Sequence, residues 1–103
     1  MELTDQNFAQ FLKETGKPVL VDFWSPMCAP CLIMGSVIEE IEEEFGEKIM
    51  FGKLNISVNP EIAEEYKIMS IPTFIIFKDG QETERIIGAH PKQFLVDRIN
   101  SLI

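Results

Sequence analysis

Cys28 and Cys31 are the only cysteines in the chain, and Ala29 and Pro30 separate them. A thiol pair at this spacing suits redox exchange or metal binding, and an inert structural pair is the third possibility. The pair follows an apolar run, Val19-Leu20-Val21-Asp22-Phe23-Trp24, and precedes an amphipathic stretch with helical spacing. A strand therefore hands over to a helix at the cysteines. Cys28 then stands at a helix N-terminus, where unpaired N–H groups and the macrodipole favour negative charge. A thiolate is such a charge and is the nucleophilic form of cysteine, so the Cys28 thiol is expected to ionise more readily than a free one. Asp22 is a lone acid inside the apolar run. Burial there raises its pKa, because desolvation disfavours the charged form. Lys53, on the neighbouring predicted strand, partly offsets that cost.

The elements that must hold these groups follow from the apolar spacing. Thr4 reads as the N-cap of a helix carrying Phe8, Phe11 and Leu12, closed by Gly16-Lys17-Pro18. Residues 18–24 have the near-continuous apolar character of a strand buried on both faces. After the cysteines, Met34, Val37, Ile38, Ile41 and Phe45 make one stripe along a helix that ends at Gly46, with glutamates on its other faces. Residues 49–55 read as a strand. Asn59 and Pro60 open a short helix, with Asn59 as its cap and Ile62, Ala63 and Tyr66 on its core side. Residues 73–77 form a strand, with Pro72 at its very start. Asp79-Gly80 then turns the chain into an antiparallel strand near 82–88. Pro91 begins a last helix carrying Phe94, Leu95, Ile99 and Leu102. The alternation predicts one α/β domain over residues 1–103, with helices on both faces of a mainly parallel sheet and antiparallel strands from the hairpin at its end.

The composition excludes several function classes. Nine basic against 17 acidic side chains leave a net charge of −8, which argues against nucleic acid or an anionic membrane as partner. The first seven residues show neither a basic segment nor an apolar core, so no signal peptide is expected, and a reducing, cytoplasmic setting is. In that setting a close cysteine pair is more often catalytic or metal-binding than structural. One chain offers two cysteines and the single His90, too few for a closed four-ligand zinc site, although two copies could share a metal. Redox chemistry is the preferred reading. His90 itself reads as a surface residue at a helix start.

Taken together, Val21-Asp22-Phe23-Trp24, Cys28-Ala29-Pro30-Cys31, Lys53-Leu54-Asn55, Ile71-Pro72-Thr73, Phe77-Lys78-Asp79-Gly80 and Gly88-Ala89 resemble the thioredoxin family over nearly the whole chain. The resemblance implies the thioredoxin fold, a three-layer α/β/α domain around a mixed sheet of four to five strands. It implies that Pro72 is cis and faces the disulfide, that the Ile71 backbone pairs with an extended substrate segment, and that Gly88 lines the same groove. The chain also departs from the Trp-Cys-Gly-Pro-Cys-Lys pattern of general reductants. Met27 replaces the tryptophan, Ala29 the glycine and Leu32 the lysine, and Ser36 stands where many relatives have proline. The expected docking surface, formed by Trp24, Met27, Ala29, Pro30, Leu32, Met69, Ile71 and Ala89, is strongly apolar. Loss of the lysine removes a charge that would favour the thiolate.

The mechanism this implies is dithiol–disulfide exchange. Cys28 attacks a substrate disulfide and Cys31 resolves the mixed disulfide, with Asp22 as the candidate base for Cys31. The expected protein is a monomeric protein-disulfide reductase with no cofactor beyond its own cysteine pair. It would act on disulfide-containing proteins and be recycled by a thioredoxin-reductase-type donor. Alternatives are a redox partner dedicated to one protein, a non-enzymatic binding module on the same fold, or a metal-bridged dimer.

Overall fold

The structure, a computed structural model, describes residues 1–103. Its elements are β1 (Glu2–Leu3), α1 (Phe8–Glu14), β2 (Val19–Trp24), α2 (Ala29–Phe45), β3 (Met50–Asn55), α3 (Pro60–Glu65), β4 (Thr73–Lys78), β5 (Gln81–Ile87) and α4 (Lys92–Asn100). The five strands form one sheet in the order β1-β3-β2-β4-β5, with β2 at its centre. Leu20 and its neighbours Val19, Val21, Asp22 and Phe23 are all buried, as a strand covered on both faces requires.

Side-chain alternation along β2 divides the core in two. Leu20 packs with Met34, Ile38 and Ile41 of α2 and Leu95 and Ile99 of α4. Val19, Val21 and Phe23 point the other way and pack with Phe8 of α1 and Ile62 of α3. That second layer is aromatic. Phe8 meets Phe77 edge-on at 5.7 Å between ring centroids, and Tyr66 meets Phe77 in the same way at 5.3 Å. Asp22 shares the Leu20 face of β2, so it lies on the side that α2 covers. No helix is long and apolar enough to cross a membrane.

The structure corrects the sequence reading in three places. The sheet is mixed in equal parts. β1 and β2 both run parallel to β3, whereas β4 is antiparallel to β2 as well as to β5. Both edges of β3 are taken by β1 and β2, so β4 joins the free edge of β2 in the opposite direction. Lys67, in the left-handed region at φ 54°, ends α3 before that return. Secondly, α1 begins at Phe8 with Asn7 in the cap position. Thr4 caps the turn before it instead: its Oγ1 accepts from Asn7 N–H while Asn7 Oδ1 accepts from Thr4 N–H.

Thirdly, Asn59 precedes α3 but makes no side-chain cap to it. Asp5 supplies the cap from across the chain, its two carboxylate oxygens accepting from Glu61 N–H and Ile62 N–H. Asn59 is buried between these segments, accepting from Asp5 N–H and donating to the Asn55 carbonyl. Asp5→Ala is expected to lower stability by about 1 kcal/mol, the usual cost of a lost cap, with Asp5→Asn recovering only part of it because its amide keeps one of the two acceptor oxygens. Thermal unfolding of the three proteins measures this. An alanine variant as stable as the parent would mean that α3 is held without Asp5.

Candidate active site

The Cys28–Cys31 pair lies where β2 gives way to α2, and the two sulfurs are joined in a disulfide. Cys28 is the N-cap residue of α2, in extended conformation at φ −107° and ψ 107°, and Pro30 occupies the first turn. Cys31 N–H donates to Cys28 Sγ at 3.2 Å, so a helix-end N–H points at this sulfur as the dipole argument requires. The two cysteines differ in access. Cys28 is half-buried, whereas Cys31 is 2% exposed. An incoming disulfide can therefore reach Cys28 and not Cys31.

The loop before the helix is tied down by groups absent from the sequence expectations. Ser25 is buried and its Oγ lies 3.0 Å from Ser57 Oγ. Ser25 Oγ also accepts from Met27 N–H, and the Ser25 carbonyl accepts from Cys28 N–H. A serine directly after a strand, two residues ahead of a free N–H, is the signature of such a turn and could have marked Ser25. Ser57 carries no comparable local signal.

Opposite the disulfide, the Ile71–Pro72 bond is cis, Pro72 is buried, and the Ile71 carbonyl oxygen comes within 3.9 Å of Cys28 Sγ. No turn or loop backbone hydrogen bond within the chain uses the N–H or carbonyl of Ile71. Gly88 closes the other side of this segment: its N–H donates to the Pro72 carbonyl, and its φ of +90° suits a residue without a Cβ. Thr73 Oγ1 braces the loop by donating to the Ser70 carbonyl. The Ile71 carbonyl thus faces the Cys28 sulfur, and Gly88 is tied to the same segment through Pro72.

Asp22 is 1% exposed and neither carboxyl oxygen has a hydrogen-bond partner. Burial pushes its pKa up from 3.8 to about 7, and the nearby Lys53 ammonium pulls only partly the other way. Lys53 is the register partner of Asp22 across the β2–β3 pair. It is exposed, and its Nζ rests 4.4 Å from the centroid of the half-buried Trp24 ring. Around this centre the surface is apolar. Met27 is 92% exposed and Met69 is 94% exposed; Leu32, Ala29, Pro30 and Ala89 are exposed as well. His90 stands apart from this chemistry, stacking on Phe94 at 4.3 Å with its Nε2 2.9 Å from the Ile87 carbonyl. The largest cleft, about 530 Å³, lies among α1, α3 and the β4–β5 turn and contains neither cysteine. Of the two smaller clefts, one reaches Met69 and the other Trp24 and Lys53, and neither contains a cysteine.

The thioredoxin family model matches residues 1–101. Thioredoxin 1 of Synechococcus elongatus is 42% identical over 98 residues, covering 95% of this chain and 92% of its own. A thioredoxin of Pyropia yezoensis is 45% identical over 102 residues, 99% of this chain and 95% of its own. One from Alicyclobacillus acidocaldarius is 47% identical over 95 residues, 92% and 90% of the two chains.

Asp22 gives stability a pH dependence of defined sign. Between the unfolded value of 3.8 and the folded value of about 7, the folded chain holds a proton that the unfolded chain has released. Stability of the disulfide form therefore falls as pH rises through that window, and levels off above it. Asp22→Asn stays neutral and removes the effect. The two proteins should be nearly equally stable below about pH 4, with the variant ahead by up to about 4 kcal/mol above about pH 7. Urea unfolding across pH measures this; a variant no more stable than the parent at alkaline pH contradicts it.

Proposed function

The chain belongs to the thioredoxin family of thiol–disulfide oxidoreductases, and on that premise we propose that Cys28 is its attacking sulfur and Cys31 its resolving one. The observation that carries this assignment is the contrast in access, a half-buried Cys28 receiving a helix-end N–H beside a Cys31 that is 2% exposed. In the reduced protein the Cys28 thiolate attacks one sulfur of a substrate disulfide. A Cys28–substrate disulfide forms, and the other substrate sulfur leaves as a thiolate. Cys31 then gives up its proton and attacks Cys28 Sγ. The second substrate sulfur departs, and the chain is left with its own disulfide. Two electrons and two protons from a reductase-type donor restore the dithiol. The sulfurs carry the electrons themselves, so the reading needs no cofactor.

Asp22 is the proposed acceptor of the Cys31 proton, through a bridging water. It lies on the face of β2 that α2 covers, and a carboxyl that titrates near 7 can exchange a proton at neutral pH. Lys53 steadies its charged form, and Trp24 holds Lys53 in place. Substrate docking falls to Trp24, Met27, Pro30, Met69, Ile71, Pro72, Gly88 and Ala89. The unpaired Ile71 backbone is suited to an extended strand of the partner. The partners are disulfide-containing proteins, the protein acts as a monomer, and its setting is the reducing cytoplasm. The intramolecular disulfide favours exchange over the metal-bridged and purely binding readings.

Cys31→Ser should trap mixed disulfides through Cys28 when the reduced variant meets a protein disulfide. Non-reducing electrophoresis and mass spectrometry detect them. No adduct with Cys31→Ser, or as much adduct through Cys31 in the Cys28→Ser variant, would refute the assignment. Asp22→Asn should slow the resolving step by about a hundredfold or more, the usual range for losing a positioned proton acceptor, and leave the first attack nearly unchanged. Stopped-flow kinetics separate the two steps. Equal slowing of both would remove Asp22 from this role.

A further inference from the structure

Two thioethers stand almost fully in water on the two segments that carry Cys28 and Ile71. Met27 is 92% exposed directly before Cys28, and Met69 is 94% exposed at the start of the loop that carries Ile71 and Pro72. Met34 is buried at 2%, Met50 is half-buried, and Met1 is 60% exposed. A thioether reacts with peroxide where it can be reached, and burial withholds it. Both are large apolar side chains held in water, Met27 next to Cys28 in the chain and Met69 two residues before the Ile71 whose carbonyl faces Cys28 Sγ, and a partner docked on these segments would cover them.

We infer that Met27 and Met69 are sites of reversible peroxide oxidation, and that their sulfoxides weaken protein docking while sparing the Cys28–Cys31 exchange itself. The consequence rests on the exchange reading above; the modification does not. The step balances simply. Each thioether sulfur takes one oxygen atom from hydrogen peroxide, the sulfur is oxidised, and water is released. The dithiol meets peroxide first, because a thiolate is the better nucleophile, and that oxidation ends in the disulfide already present. The methionines form a second level, which dithiol exchange does not reverse and which only a sulfoxide-reducing activity repairs. A sulfoxide is polar and strongly hydrated, so a flexible apolar contact becomes one that resists burial.

The test begins with the intact protein in its disulfide form. It is treated with hydrogen peroxide, sampled over time, and digested so that the oxygen gained at each methionine is read by mass spectrometry. Met27 and Met69 should oxidise fastest, at least about tenfold ahead of Met34, as burial requires. Uniform uptake, or Met27 and Met69 no faster than Met34, overturns the site assignment. Peroxide is then removed, a small dithiol reduces the cysteine pair, and kinetics are measured with insulin and with an aryl disulfide too small to span the surface.

KM for insulin should rise about fourfold per sulfoxide, the loss of about one methylene's worth of burial, while turnover of the aryl disulfide stays constant. An unchanged KM, or equal loss on both substrates, overturns the docking consequence. The Met27→Leu/Met69→Leu protein, whatever its own starting KM, should keep that value through peroxide treatment. A shift as large as the parent's would place the damage elsewhere and refute the inference. An untreated protein that leaves insulin oxidised overturns the exchange reading and the consequence with it, while the oxygen map still decides the site.

Discussion

The reactive end depends on the central strand. β2 is hydrogen-bonded to β3 on one side and β4 on the other, and both of its faces are buried. Its register is therefore fixed, because a slip by one residue would exchange Leu20 and Asp22 with Val21 and Phe23 across the sheet. That register puts Asp22 under α2 and delivers Cys28 to the first turn of the same helix. The acid and the thiols thus owe their relation to one strand and the helix that follows it. Ser25 and Ser57 fix the few residues in between, and the Thr73–Ser70 contact braces the facing loop.

Two features of this site run against stability. Asp22 is buried without a hydrogen-bond partner, and Lys53 offsets only part of the desolvation. An amide or an apolar residue would suit the core better, and the proposed proton transfer at neutral pH accounts for an acid here. The second feature is the exposed apolar rim. Leu32 and Ile33 of α2 lie 53% and 67% open to water, as Met27 and Met69 do more fully still. The amphipathic logic that buries Met34, Ile38 and Ile41 does not require these residues to be apolar. The docking role proposed for this rim does, and Leu32 directly after Cys31 makes it more apolar still.

Much of this was legible in the sequence, and the remainder has a common physical cause. Period-two and helical spacing located eight of the nine elements, because each must bury one face or stripe; the two-residue β1 is too short to show a period. The redox pair, the buried acid and its lysine neighbour were visible from residue type and position. Contacts distant in sequence were not. The cap of α3 comes from Asp5, more than fifty residues before it, so the local cue favoured Asn59. The direction of β4 depends on which sheet edge is free, which no local pattern encodes. The cis bond at Pro72 opposes the base rate for proline, and only the resemblance to a family implied it. Thr83 is an extra residue in β5 opposite the Ile76–Phe77 step, and its Oγ1 donates to the Ile76 carbonyl, an irregularity that the alternation of β5 does not show.

On the proposed mechanism, the first turn of α2 makes Cys28, and not Cys31, the ionised nucleophile. Its most direct measurement is the ultraviolet thiolate absorbance of the reduced protein followed through a pH titration, in the parent and in each single cysteine-to-serine variant. The account predicts one thiol that ionises below the pKa of the same cysteine in the urea-unfolded chain, and its loss in Cys28→Ser but not in Cys31→Ser. A Cys28 thiol that ionises at or above its unfolded value, or a low-pH transition that survives Cys28→Ser, would contradict it.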